Sequence, residues 1–177
     1  MSKIKTKRLN LRYPILSDAK FHANGLGDYQ VAKNLLVPHP YNIEMAHEWL
    51  AQDFTNKTIN ETRFVVEKKD NILIGGIGFN DKNNEAVLSY WIAKEFWGLR
   101  YASEAVLAII TWYFKNSKAK QILSGAFHFN KASLKIQQRL GFIETARSTL
   151  FCPARNIAVE NIETKLNKKT FLGLRIK

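Results

Sequence analysis

Between Arg63 and Ala93 the sequence carries three β-rich runs, Arg63 to Glu67, Ile72 to Phe79 and Ala86 to Ala93. Two separators divide them, Asp70-Asn71 and Asn80-Asp81-Lys82-Asn83-Asn84. Asn and Asp tolerate turn backbone and bond to it through their side chains, so the three runs read as an antiparallel meander. From Tyr101 to about Lys115 the period becomes helical, with Ala102, Ala105, Val106, Ile109 and Tyr113 on one face. A sheet that must bury one side against such a helix is the strongest constraint in the chain.

The flanking segments extend the pattern. Residues 6–12 alternate polar and apolar and end before Pro14, which reads as a half-buried strand. Ser17-Asp18 offers an N-cap for a short helix, and a second helical stretch follows Asp28 until the Pro38-His39-Pro40-Tyr41 segment breaks it. Asn42 can cap a third. Gln121 to Phe129 reads as a strand, and Asn130 opens a helix that closes at Gly141, with Asn at the N-cap and Gly just past the end. Ile143 to Leu150 and Ala158 to Leu166 complete the strands. The fold class is α+β: one mixed, mainly antiparallel central sheet of about six to seven strands flanked by helices.

With 177 residues, of which 46% are hydrophobic and 24% charged, the chain suits a single domain, 1–177, with a core over about 6–166 and a basic C-terminal tail at 167–177. The formal charge of +12 invites a nucleic-acid reading, but all 15 acids lie between residues 13 and 164, beside 17 of the 27 bases. The body is thus nearly neutral and the excess sits at the two ends, which does not suit a basic nucleic-acid-binding domain. Cys152 is the lone cysteine, and His22, His47 and His128 share no ligand spacing, so neither a disulfide nor a metal site is expected. The longest apolar stretch, Ala105 to Phe114, is interrupted by Thr111 and falls far short of the roughly 20 residues of a membrane span. The expectation is a cytoplasmic protein without membrane or metal.

The junction that carries chemistry is the run Ala86–Ala93, the loop from Lys94 to Arg100, and the helix that follows. A helix N-terminus presents unpaired N–H groups and a positive dipole end, which together attract phosphate. Gly98 lets a ligand approach the backbone closely. By itself such a junction is more often a plain connection.

The string Tyr90-Trp91-Ile92-Ala93, followed by Phe96-Trp97-Gly98-Leu99-Arg100-Tyr101-Ala102-Ser103-Glu104-Ala105, resembles the acetyl-CoA motif of the GNAT superfamily, in its RimJ/RimL-type branch (ribosomal-protein-alanine acetyltransferase-like). Thr6 to Arg12 with Leu16-Ser17-Asp18-Ala19, Asp28 to Ala32, and Asn130-Lys131-Ala132-Ser133 with Arg139-Leu140-Gly141-Phe142 resemble further segments of that branch in the same order. The resemblance spans roughly residues 6–166. It implies a sheet splayed at the cofactor strand, where the backbone of Tyr90, Trp91, Ile92 and Ala93 pairs with the pantetheine arm of acetyl-CoA. It also implies that amides of Gly98, Leu99, Arg100, Tyr101, Ala102 and Ser103 hold the pyrophosphate, that Asn130 faces the pantetheine, and that Ser133 lies near the sulfur.

Two departures stand out. Arg100 occupies a loop position where the family has a small residue, usually glycine; backbone with φ above zero would be costly there, while a guanidinium beside a pyrophosphate would compensate. Val87 stands where relatives often carry a carboxylate, and Glu85 is on the same face one pleat farther out. The implied reaction is direct attack of an amine on the thioester, with Glu85 reached through water as the base and Ser133 as the acid for the departing thiolate. The alternative for Ser133 is a further hydrogen bond at the helix start. Lys131, Lys135 and Arg139 form one helical stripe, readable as a solvated face or as attraction for the 3′-phosphate of the cofactor.

A free α-amine titrates near 7.7–8.0 and lysine near 10.4, so a site without a well-placed carboxylate suits an α-amine better. The acceptor is therefore expected to be a protein N-terminus, such as that of a ribosomal protein. The alternatives are acetylation of a polyamine or other small amine, and a degenerate fold that only binds the cofactor. Either a monomer or a homodimer is compatible with the sequence.

Overall fold

The computed structural model describes residues 2–174. Eight strands form one sheet in the order β1-β2-β3-β4-β5-β6-β8-β7. They are β1 (Ser2–Lys5), β2 (Leu9–Arg12), β3 (Arg63–Lys68), β4 (Leu73–Lys82), β5 (Glu85–Ile92), β6 (Gln121–Phe127), β7 (Ile143–Cys152) and β8 (Ile157–Asn167). The helices are α1 (Ala19–Gly27), α2 (Tyr29–Ala32), α3 (Ile43–Leu50), α4 (Tyr101–Asn116), α5 (Lys131–Arg139) and α6 (Lys168–Leu174). The expected meander is β3-β4-β5, antiparallel throughout. The sheet has eight strands rather than the expected six to seven because β1 and β2 form a hairpin at the N-terminus. Thr6, read from its alternation as part of a strand, lies in the turn, where its hydroxyl accepts from Leu9 N–H (2.8 Å) and donates to Glu104 (2.6 Å).

Every neighbouring pair is antiparallel except β5 and β6, which run parallel and share the single pair Val87↔Leu123. Ser124 Oγ donates to Leu88 O just beyond it. Past that point the two strands part, and the splay opens beside Tyr90.

The principal core lies between one face of the sheet and α4. Ile77, Phe79, Ala86 and Leu88 meet Val106, Ile109, Ile110 and Tyr113 there. Strand alternation sends Gly76 and Trp91 to the opposite face, where α1 and α3 form a smaller core of Ala19, Ala46, Leu50 and Phe54. Trp91 fits against α1 only because two neighbours lack side chains: a Cβ on Gly25 would lie 2.5 Å from its ring, and one on Gly76 2.6 Å.

The chain ends are more structural than their charge suggests. Arg12 reaches both oxygens of buried Asp18 (2.8 and 2.9 Å) and also Glu67. Asp18 consequently does not cap α1; it accepts from Arg12 and from Ile15 N–H. At the other end, residues 168–174 of the expected tail are a helix. Phe171 is buried, 5.8 Å from the Phe114 ring, and Lys168 donates to Phe114 O. Residues 175–177 lie outside the described residues.

Candidate active site

The start of α4 is built to leave its amides free. Arg100 occupies the N-cap with φ 63°, ψ 14°, and no side chain caps the helix. The first intrahelical acceptor, Arg100 O, is used by Glu104 N–H (3.2 Å), so the amides of Tyr101, Ala102 and Ser103 precede the helical ladder. Gly98 also has positive φ, 78°, and a Cβ there would meet nothing within 4 Å. The left-handed backbone anticipated at Arg100 is thus present, on a residue that pays a steric cost for it.

The loop is held from outside. Trp97 Nε1 donates to Ile92 O (2.7 Å). Arg8 bonds Glu104 through Nε (2.6 Å), donates to Leu99 O (3.1 Å), and lies 4.4 Å above the Tyr101 ring. Burial opposes ionisation of Glu104, but bonds from Thr6 and Arg8 outweigh it and lower its pKa. Neither Arg8 nor Glu104 was a sequence candidate, since 96 residues separate them.

Beyond the loop lies a cavity of about 350 Å³ lined by Arg100, Ser103, Ile136, Arg139 and Leu140. Among the described residues no acid pairs with Arg100 or Arg139. Free helix-start amides and two unpaired guanidinium groups beside one cavity fit a polyphosphate. Of the basic stripe on α5, Arg139 lines this cavity; Lys131 and Lys135 are exposed and do not.

The edge of β5 offers half of its polar groups to the splay. Ala93 N–H donates to Ile74 O (2.8 Å), so Ala93 faces β4, as does Trp91 by alternation. Tyr90 and Ile92 face the opening, with Ile92 O already taken by Trp97. An added strand would find Tyr90 N–H, Tyr90 O and Ile92 N–H. Of the four-residue segment expected to pair with the pantetheine, the backbone of Tyr90 and Ile92 faces the opening and that of Trp91 and Ala93 faces β4.

Across the splay, Asn130 caps α5 by accepting from Ser133 N–H (3.2 Å). Ser133 Oγ is 2.8 Å from the Tyr90 hydroxyl and 3.1 Å from Gln137 Nε2. Gln137, 1% exposed, also meets Gly125 O (3.4 Å) and Thr164 Oγ1 (2.5 Å). Ser133 is thereby tied to β5, β6 and β8 together. The Gln137 contact follows helical i, i+4 spacing and could have been found from sequence; the Tyr90 and Thr164 contacts could not.

Glu85 is not brought into this cluster. It opens β5, five residues from Tyr90, about 17 Å along an extended strand, and it accepts a hydrogen bond from Gln121 Nε2. On its face of β5, the positions nearer the splay are Val87, Ser89 and Trp91, none of them charged. His22 of α1 lies behind Trp91, 2% exposed, its ring 4.9 Å from Trp49 and 5.7 Å from Trp91. Neither ring nitrogen has a partner. Burial, with a smaller opposing effect from Asp18, lowers its pKa to about 4, so it is neutral at pH 7.

A splayed mixed sheet, a helix start with free amides, and a second helix across the opening leave a cleft whose chemistry suits a ligand bearing a polyphosphate. A family profile described as acetyltransferase (GNAT) domain matches residues 8–143, and the chain belongs to this family. It is an acetyltransferase that uses acetyl-CoA. An uncharacterised N-acetyltransferase, p20, from Bacillus licheniformis is 26% identical over 178 residues, covering 98% of this chain and 100% of that protein. Among solved structures, spermidine N-acetyltransferase from Vibrio cholerae in complex with CoA and spermine superposes with a TM-score of 0.81 at 20% identity, over 94% of this chain and 99% of that one. Ribosomal-protein-S5-alanine acetyltransferase from Vibrio fischeri superposes with a TM-score of 0.80 at 20% identity, over 97% and 98%. No helix among the described residues is long and apolar enough to cross a membrane.

Proposed function

We propose that the chain is a RimJ/RimL-type N-acetyltransferase whose acceptor is the α-amino group of a protein N-terminus, in the manner of the ribosomal-protein relative. The observation that carries this reading is the uncharged acceptor face of β5, where Val87, Ser89 and Trp91 replace any carboxylate beside the splay. A polyamine is a polycation and needs acids to hold it. An α-amine, with its lower pKa, reaches the neutral nucleophilic form at cytoplasmic pH with less help.

When bound, acetyl-CoA supplies the acetyl group and a thiolate leaving group. The amides of Gly98 to Ser103, with Arg100, hold its pyrophosphate, and Arg139 adds a second positive charge. Tyr90 and Ile92 bind the pantetheine as an added strand would. Their open-edge N–H groups are the natural oxyanion donors. Ser133 Oγ gives a proton to the departing sulfur. Glu85 receives the acceptor's proton through water, a role its place at the far end of β5 makes indirect.

The test is thiol release with an acceptor panel. Peptides with a free N-terminus are expected to turn over at least tenfold faster, by kcat/KM, than spermidine at pH 7.5. Faster reaction with spermidine would overturn the acceptor assignment. Absence of stabilisation by millimolar acetyl-CoA in a thermal-shift assay would instead favour a fold that has lost catalysis.

A further inference from the structure

We propose that Tyr90 is the proton reserve behind Ser133: its phenol refills the serine hydroxyl as the serine protonates the leaving sulfur, and Gln137 sets the direction of that transfer. This rests on the role given to Ser133 above.

The hydrogen bonds around Ser133 allow the orientation that a relay from Tyr90 needs. Gly125 O can only accept, so the Gln137 amide must direct Nε2 toward it; the same Nε2 then donates to Ser133 Oγ, while Oε1 accepts from Thr164. The Tyr90 hydroxyl lies 2.8 Å from Ser133 Oγ and 3.4 Å from Ser133 O, and the latter can also only accept. The phenol can thus donate to either oxygen of Ser133, and the bond between the two hydroxyls can run in either direction. When Oγ accepts from both Tyr90 and Gln137, its own hydrogen is free to point into the splay.

The balance is simple. Ser133 O–H breaks as S–H forms on the sulfur; Tyr90 O–H breaks as a new Ser133 O–H forms. The phenolate is then reprotonated by solvent, to which Glu85 passes on the proton shed by the acceptor amine. A serine alkoxide is a much stronger base than a phenolate, so a serine acting without this reserve would be a poor acid. Tyr90 and Gln137 are positioning residues that act through Ser133.

The experiment compares Tyr90→Phe, Ser133→Ala and the double variant. Tyr90→Phe and Ser133→Ala are each expected to lower kcat by about 10- to 100-fold, with the calorimetric Kd for acetyl-CoA changing by less than about threefold. The double variant should be no slower than Ser133→Ala, because the route runs through the serine. A second readout needs no turnover: the ring-carbon NMR titration of ¹³C-tyrosine-labelled free protein, with Tyr90 assigned by its loss in Tyr90→Phe. Burial raises the Tyr90 pKa, and bonds to Ser133 and Gln137 hold it down. Its midpoint should rise in Ser133→Ala and in Gln137→Leu. Wild-type kcat in Tyr90→Phe, or an unmoved Tyr90 midpoint in Ser133→Ala, would overturn the relay while leaving the acetyltransferase reading intact. Ser133→Ala with undiminished kcat would overturn the acid role of Ser133 and the relay together.

Discussion

The two helices that flank the splay begin in opposite ways. α5 starts at Asn130, whose side chain closes on Ser133 N–H, and its first turn is further held by Gln137 and Tyr90. α4 starts at Arg100, in left-handed backbone with no side-chain cap, and its first three amides have no helical acceptor. A sequence selected for stability alone would cap both, since a missing cap typically costs about 1 kcal/mol. On the function proposed above, the difference separates two tasks: α5 holds one hydroxyl still, and α4 keeps its positive end available to an anion.

The contrast can be broken by adding a second carboxylate to the first turn of α4, which already holds Glu104 tied to Thr6 and Arg8. Ser103→Asp places a carboxylate in its first turn, where it complements the dipole by about 0.3–1 kcal/mol. It should also weaken acetyl-CoA binding by about 10- to 100-fold, since the carboxylate would face the cavity proposed to take the phosphates. Calorimetry and a melting curve on one variant would show both; undiminished affinity would move the phosphate site elsewhere.

A smaller effect is expected from uncapping α5. Asn130→Ala should cost about 1 kcal/mol and lower Tm by about 2–4 °C. Because Ser133 is then less firmly placed, kcat should fall more than the acetyl-CoA affinity does. Equal losses in both would show that Asn130 serves binding and not the placement of Ser133.

The smallest effect sharpens the reading of Arg100. Arg100→Gly relieves the left-handed strain but adds freedom to the unfolded chain, so stability should rise by about 0.5–1 kcal/mol. Affinity for acetyl-CoA should fall several-fold at low salt and converge with wild type at high salt, as expected for loss of one ionic contact. A salt-independent difference would remove the guanidinium from the phosphate site.

The local grammar of the fold was readable in advance. Turn residues marked the meander, periodicity marked α4, and Asn130 and Gly141 marked the bounds of α5, because each of these signals is carried within a few residues. The N-terminal run was misread for the same reason. Alternation favoured one strand over residues 6–12, whereas Thr6 and Arg8 turn away to bond Glu104 on α4. Asp18 has the composition of a cap but serves Arg12, and the basic C-terminal segment hid a helix anchored by Phe171.

The candidate site divides along the same line. Residue type and short spacing marked the loop and helix start at Gly98 to Ser103 and the cap at Asn130, while the places of the phosphate and of Ser133 came with the family resemblance. Long-range packing brings the Tyr90 hydroxyl to Ser133, fixes the Gln137 amide between Gly125 and Thr164, and leaves Glu85 apart. Those partners lie on different strands, 12 to 43 residues away in sequence. They meet because the sheet parts after Val87 and lets α5 settle across the opening.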